Sequence, residues 1–517
     1  MATNRDLSAT WTYHDGTKHS LQRVRSNLHS LDWPNQPLAF KLYSTLDPLP
    51  LPHDFPTVSM STLASIAVTG SSARTAYIPD ISTLAALLFL SAGITKRRTY
   101  PGGEIFFRAA ACTGALYHID LYVVCGDVPG LLAGVYHFGP HDFSLRCLRK
   151  GDYRASLVRA SGYEQAVMSA PITIICTSTY WRNAWKYQAR TYRHCFWDAG
   201  TLLANSLAVA AGIEIPTRVV AGFVDTEVNG LLDLDTEREV ALALLPFGDI
   251  AQPAPDLPSA TPPLNLPTVA LSQHQVDYPP IRMLHAASSL LDTEEVKVWR
   301  GGTPQKPTGV PTGRLFPLTR LNDTILPDVT LDHTIRHRGS SRAFAREPIS
   351  FAQLSTLLHR ATQGVPTDFL DPVGTIWTDL YLIVNAVDDL PAGTYVFHRD
   401  RQALELLREG HFRREAGYLG LGQELPADAS VNIFCLADLP PMLERFGNRG
   451  YRATQLEAAI IGGKCYLAAY AQRLGATGLT FFDDDVMAFF SPHAAGKSVM
   501  FLTAVGKPIK KQRLAQA

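Results

Sequence analysis

No charge of either sign predominates in this chain. Its 517 residues carry 47 Lys and Arg against 47 Asp and Glu. A balanced surface excludes the basic stripe that nucleic acid or an anionic membrane requires. Charged residues make up only 18% of the chain and apolar ones 46%, a globular composition and not a disordered one. Cysteine is scarce, with seven thiols and no CxxC pair, so neither a disulfide framework nor a Cys-rich metal site is indicated. No His/Cys/Glu grouping has metal-ligand spacing, and no metal is expected. The longest apolar run, from Ile81 to Ile94, is shorter than the roughly 20 residues of a membrane-spanning helix. The first residues, MATNRDLSAT, lack the apolar core of a signal peptide. These absences lead us to expect a soluble, cytoplasmic protein with buried, reduced thiols.

What the chain does have is itself, twice. A shift of 259 positions places Asp120-Leu121-Tyr122 on Asp379-Leu380-Tyr381 and Cys176 on Cys435. The same shift places Gly134, Tyr136 and Phe138 on Gly393, Tyr395 and Phe397. It also places Arg190, Tyr192 and Arg193 on Arg449, Tyr451 and Arg452, and Phe223 and Asp225 on Phe482 and Asp484. A single offset over so long a stretch means duplication. Upstream, Gly70-Ser71-Ser72 matches Gly339-Ser340-Ser341 at an offset of 269, so about ten extra residues belong to the first copy, near 96–107.

Proline and glycine punctuate 251–280 and 301–313, which reads as linker or irregular wrapping. The expected layout is an extension at 1–60, a first domain at 61–250, a linker at 251–332 and a second domain at 333–517. Each copy patterns as helix, strand, long helix, strand. Ile81–Ala92 and Phe351–Ala361 are helical. Ile119–Cys125, Leu380–Val384, Ile172–Thr177 and Val431–Leu436 are strands. Tyr192–Ala211 and Tyr451–Ala471 are long helices. Strands and helices mixed in this way give an α+β layered fold. Two similar copies in one chain imply a covalently joined pseudo-dimer, with sites at the seam built from both halves.

Two segments carry chemistry. Arg336-His337-Arg338-Gly339-Ser340-Ser341-Arg342 puts guanidiniums and hydroxyls ahead of a helix, the donors a phosphate monoester needs. Arg108-Ala-Ala-Ala-Cys112-Thr113-Gly114-Ala115-Leu116-Tyr117 is a run of small residues that lets backbone approach a flat ligand. Taken alone, the first reads equally as a solvated basic turn and the second as a tightly packed loop. Ser491 to Ser498 has the tail of a P-loop but lacks its first glycine, so ATP is not indicated.

The R-x-S-x-R-x-F opening, the small-residue loop ending G-A-L-Y, the G-x-Y-x-F hairpin and the closing V-G-K-P resemble the flavin-dependent nitroreductase superfamily. They are most similar to its SagB/ThcOx-type branch, the azoline dehydrogenases of thiazole/oxazole peptide biosynthesis. Tyr13-His14-Asp-Gly-Thr17-Lys18-His19 resembles that branch's N-terminal stretch. The resemblance implies a nitroreductase-like α+β fold and FMN at the interface of two units. It implies that Arg338, Ser340 and Arg342, with Arg336 ahead of them, hold the phosphate and ribityl chain. Lys511 and Arg513 match a K-x-R phosphate clamp, and Gly478, Thr480 and Phe481 belong to the stretch whose N–H groups face the flavin N5. Cys112, Thr113 and Gly114 match a P-S-x-G loop under the ring, with Ala111 and Cys112 replacing its Pro and Ser.

The implied phosphate residues are intact only in copy two and the small loop only in copy one, so a single composite site keeps both halves. The resemblance also implies a catalytic Lys186-Tyr187 pair, for which copy two has Arg445-Phe446. Azoline aromatisation removes a hydride and a proton. A buried lysine with lowered pKa, or a tyrosinate beside a cation, is the expected base. The expected substrate is a heterocycle-bearing peptide or carrier-bound natural-product intermediate, with partner biosynthetic enzymes. Pairing of the fused chain into a further homodimer is left open. An NAD(P)H-dependent nitro- or quinone-reductase-like enzyme, or a non-catalytic scaffold, is the alternative.

Overall fold

A computed structural model describes residues 3–69, 77–100, 103–250, 256, 261–306, 309–321, 324–372 and 374–509. Gly70 to Arg74, the first-copy counterpart of the phosphate segment, lies outside these residues, as do Lys511 and Arg513. Among the described residues no helix is long and apolar enough to cross a membrane.

Each copy builds one antiparallel sheet. In the first, the strands run Pro48–Pro50, Ser144–Lys150, Gly134–Gly139, Ile119–Cys125, Ile172–Thr179, Glu239–Phe247 across the sheet. In the second the order is Gly475–Gly478, Ser498–Gly506, Val431–Ala437, Asp379–Val384, Gly393–His398, Ala403–Glu409, Leu315–Pro317. The extra residues of the first copy form a hairpin, Ile94–Tyr100 with Gly103–Arg108. The central strands are buried along their whole length, and their residues are mostly apolar or β-branched.

Two long helices, Thr191–Gly212 and Asn448–Ala471, lie against each other between the sheets, and nearly every residue of both is buried. Their long Ala- and Leu-rich stretches need such cover, and the charged residues they carry are buried with partners. The pair approaches closely because its contact positions are small. A Cβ on Gly200 would lie 2.5 Å from that of Ala459, and one on Gly463 2.5 Å from that of Ala204. At an offset of 259 these are contacts of each position with its own counterpart, which places a pseudo-twofold axis between the helices. The helix Thr62–Ser65 and its counterpart Leu331–His337 meet near the same axis, with Thr62 Oγ1 2.7 Å from Thr334 Oγ1.

Each copy's Arg-x-Tyr-Arg grips the other copy. Arg190 and Arg193 pair with Asp483 at 3.0 and 2.6 Å, and Arg449 and Arg452 pair with Asp225 at 2.5 and 2.8 Å. Burial alone would raise both carboxyls; the paired guanidiniums outweigh it and hold each at about 2. The partner of Asp225 is therefore Asp483, not the Asp484 that a constant shift selects. Val220 pairs with Leu244 as Gly478 pairs with Thr503, which makes the local offset 258. Pro216 is the additional first-copy residue behind this slip.

The expected linker is not passive wrapping. Pro279–Ala287 mirrors the N-terminal helix Ser8–Gly16. Arg452 Nη2 donates to the His285 carbonyl and Nε to Ser288 Oγ, as Arg193 Nη2 donates to the His14 carbonyl and Nε to Thr17 Oγ1. Pro48–Pro50 and Leu315–Pro317 likewise close matching sheet edges. The repeated unit thus extends upstream of residues 61 and 333, into both the N-terminal extension and the linker. Identity is too sparse there to show it in sequence.

The long helices also carry one carboxylate each at the same repeat position, Asp198 and Glu457, which anchor the loops before the strands at 119 and 379. Glu457 accepts from the N–H groups of Trp377 and Thr378. Full burial raises its carboxyl to about 7.

Two expectations follow. Gly200→Val or Gly463→Val, by forcing a branched side chain into the helix contact, should each cost about 1–3 kcal/mol in urea unfolding. Because folding raises the Glu457 pKa, the native state holds its proton more tightly than the unfolded chain. Its contribution is most favourable below pH 4.5 and is lost as pH rises toward 7. Glu457→Gln should flatten the stability–pH curve between those limits.

Candidate functional site

The seam formed by the first copy's small-residue loop and the second copy's Arg-Gly-Ser segment brings most of the expected site residues together. Arg338 crosses it, donating through Nε to the Ala109 carbonyl at 2.6 Å and through Nη2 to the Arg108 carbonyl at 2.8 Å. Ser340 Oγ lies 3.3 Å from the Tyr466 hydroxyl, which also takes the Gly478 N–H. Arg342 is exposed at the seam. Thr113, Gly339, Ser340, Gly478, Thr480 and Tyr187 are all half-exposed in otherwise buried surroundings.

Arg336 is placed apart from Arg338. Its guanidinium pairs with Asp332 at 2.7 Å and lies over the rings of Phe89 and Phe55, which commits it to the helix surface.

The loop is held from beneath by Asp198. Its carboxylate accepts from the Thr113 N–H (2.9 Å), Thr113 Oγ1 (2.8 Å), the Cys112 thiol (3.1 Å) and His118 Nε2 (2.8 Å). Cys112 is thus turned inward, where burial and then Asp198 push its thiol well up. It acts as a packed donor and not as a reactive thiol. His118 is fully buried between Asp198 and Ser178, a structural histidine. A cavity of about 20 Å³, room for a water, lies behind the loop beside Cys112, Tyr117 and Asp198.

Folding also assembles a grouping that sequence spacing hides. Ligand atoms of Cys112, His118 and Asp198 lie within 4.8 Å of one another. Here hydrogen bonds satisfy all three.

Gly114 has φ +63° and faces Tyr187. A Cβ there would sit 2.8 Å from the Tyr187 hydroxyl, so the glycine keeps room for the phenol. Tyr187 ends the helix Tyr180–Tyr187, and its ring meets His194 edge-on at 4.7 Å. Burial, then Asp198 and Cys112, push its phenol well above the usual range. Lys186 is exposed, with Nζ 5.4 Å from the Tyr187 ring centre. Neither a buried lysine nor a tyrosinate is present, because the helix end turns the amine to solvent and the phenol into the protein.

Opposite lies a group of donors the protein leaves unused. Thr480 Oγ1 and Arg190 Nε and Nη2 are buried without a partner, and among the described residues the Thr480 N–H meets no acceptor. Arg190 lies over Phe481 and Trp197, at 5.4 and 5.6 Å from the ring centres. Buried donors are nearly always satisfied, so an open group of them beside a half-exposed seam fits an acceptor-rich ligand such as a flavin. Asp198 and Arg190 were not among the expected site residues. The sequence did carry a signal for each: an acid at matched positions of two Ala- and Leu-rich helices, and the repeated Arg-x-Tyr-Arg.

Known proteins agree with this architecture. Residues 335–507 match the family model described as the Nitroreductase family. Over 165 residues the chain is 27% identical to the nitroreductase-like protein MJ1384 of Methanocaldococcus jannaschii, covering 32% of this chain and 78% of that one. Over 159 residues it is 26% identical to the microcin B17-processing protein McbC of Escherichia coli, covering 30% of this chain and only 55% of McbC. The crystal structure of a nitroreductase-like protein from Anabaena variabilis ATCC 29413 superposes with a TM-score of 0.77 at 28% identity, covering 97% of this chain and 99% of that one. Residues 335–507 thus carry the match to the Nitroreductase family, and the whole chain is a tandem α+β pair with a nitroreductase-like fold.

Proposed function

We propose that the chain is an FMN-dependent dehydrogenase that oxidises an azoline-type ring in a peptide or carrier-bound intermediate. The observation that carries this reading is the composite seam. Along it lie the open donors of Thr480 and Arg190, the small loop whose Gly114 packs on the Tyr187 phenol, and the Arg338 guanidinium bound to the Ala109 carbonyl. Similarity to McbC, which processes microcin B17, supports the substrate class.

In this reading Ser340, Arg342 and the free edge of the Arg338 guanidinium hold the phosphate end. Thr113 and Gly114 keep the floor flat, and the Thr480 N–H faces the polar edge of the ring. Bound FMN supplies a two-electron acceptor for hydride. Burial holds Tyr187 protonated, so the phenol orients the substrate by donating a hydrogen bond. The proton lost from the neighbouring ring carbon passes to water at the open mouth of the seam, beside the exposed Lys186.

A reductase reading draws on one specific observation. A phenol held neutral at the seam can donate a hydrogen bond to the oxygen of a nitro or quinone substrate reduced at the expense of NAD(P)H. The two readings separate in one assay. Loss of two mass units from a thiazoline- or oxazoline-bearing peptide, with oxygen consumed, supports the dehydrogenase. Rapid NAD(P)H oxidation with a nitroaromatic, and no change in the peptide, supports the reductase.

Arg338→Ala should lower FMN occupancy at least tenfold, measured by absorbance after gel filtration; full occupancy would contradict the phosphate assignment. Tyr187→Phe and Lys186→Ala should retain the yellow colour but lose on the order of 10²-fold or more in peptide oxidation. Near-normal turnover in both would remove the pair from the mechanism.

A further inference from the structure

The duplicated chain has a second seam, which acts as an internal control for the first. Its small loop has been replaced. At the repeat offset, Asp368 and Phe369 stand where Ala109 and Ala110 stand in the first copy. The Asp368 carboxylate accepts from the N–H groups of Ala221 and Gly222, both at 2.8 Å. At the structural offset of 258, Gly222 is the counterpart of Thr480, whose N–H is open. Arg449 Nε donates to the Ala221 carbonyl at 2.7 Å, whereas Nε of its counterpart Arg190 has no partner. Trp299, fully buried, packs on Phe369 at 6.2 Å and on Phe446, the counterpart of Tyr187, at 5.3 Å. Its indole N–H donates to the Phe446 carbonyl. The open Thr480 N–H and Arg190 Nε of the first seam thus have satisfied counterparts in the second, in Gly222 N–H and Arg449 Nε, while Nη2 is unpartnered in both arginines.

We propose that Asp368, Phe369 and Trp299 are a built-in occupant of the second seam, and that Arg190 with Thr480 is the pole of the first seam that takes the electron-rich acceptor edge of the ligand. Asp368 reports the chemistry the backbone half of this pole accepts, a negatively polarised acceptor in line with an N–H, and the unpartnered Nε and Nη2 of Arg190 add two donors beside it. This rests on the flavin reading above and deepens it. Arg190 becomes a positioning residue for the ligand, and the chain takes one flavin instead of two. Arg193 supplies the control. It shares Asp483 with Arg190, but its Nε, Nη1 and Nη2 are all spent, on Thr17, Asp483 and the His14 carbonyl.

The test is a titration of flavin-free chain with FMN, read by flavin fluorescence, with thermal unfolding followed in parallel. One FMN per chain is expected. Arg190→Lys keeps a charge for Asp483 but loses the free guanidinium edge, and should weaken FMN at least tenfold. Arg193→Lys should lower Tm while leaving FMN affinity within about twofold. Asp368→Ala should also lower Tm, because it orphans two buried N–H groups, and should leave FMN affinity in place. Two FMN per chain, or Arg190→Lys with unchanged affinity, would overturn this inference alone. Failure of the native chain to bind any FMN would instead overturn the flavin reading, and this inference with it. Wild-type stoichiometry decides the point even if Arg190→Lys does not fold.

Discussion

Four guanidiniums and two carboxylates, exchanged across the seam, hold the molecule in one arrangement. Asp225 sits between Arg449 and Arg452, and Asp483 between Arg190 and Arg193, all nearly or fully buried. A lone buried charge is prohibitively costly, so neither copy can present its arginines to an apolar interior without the other's aspartate. The same arginines reach the carbonyls of His14 and His285, which fastens both upstream helices to the seam. One network therefore orients the halves, closes their N-terminal caps and sets the position of Arg190 beside Phe481.

Duplication made such a seam twice, and the two have since parted. In the closed one, Asp368 takes two backbone N–H groups while Phe369 and Trp299 fill the volume, which turns it into a structural joint. In the open one, Ala109, Ala110 and Ala111 leave space, and Asp198 holds the following loop in register from below. A fused dimer is free to diverge in this way, because a change in one copy is no longer repeated in the other as it is in a symmetric homodimer.

The repeat, four strands and the long helices were legible in the sequence, since burial of a strand or an Ala- and Leu-rich helix leaves an unmistakable run of residues. Ile81–Ala92 and Phe351–Ala361 are helices with those bounds. Less was legible where contacts are made by backbone. The kinship of Ser8–Gly16 with Pro279–Ala287 rests largely on carbonyls receiving arginines, which any residue can supply. The one-residue slip at Pro216 was hidden because Asp483 and Asp484 are identical as letters. Arg336 looked equivalent to Arg338 within one basic cluster, yet the helix Leu331–His337 turns it onto Asp332.

By itself, the sequence determined that two related units share the chain, that four of its segments form strands, and that a basic hydroxyl-rich segment and a small-residue loop survive in different copies. Periodicity and repetition are local properties of composition, so they can be read residue by residue. Only the tertiary structure decided that Arg338 bridges to the Ala109 carbonyl, that Tyr187 is turned inward and Lys186 outward, and that Thr480 and Arg190 keep their donors free while Asp368 occupies the matching place. Those outcomes depend on which groups from distant parts of the chain share one buried volume, and no spacing along the chain specifies that.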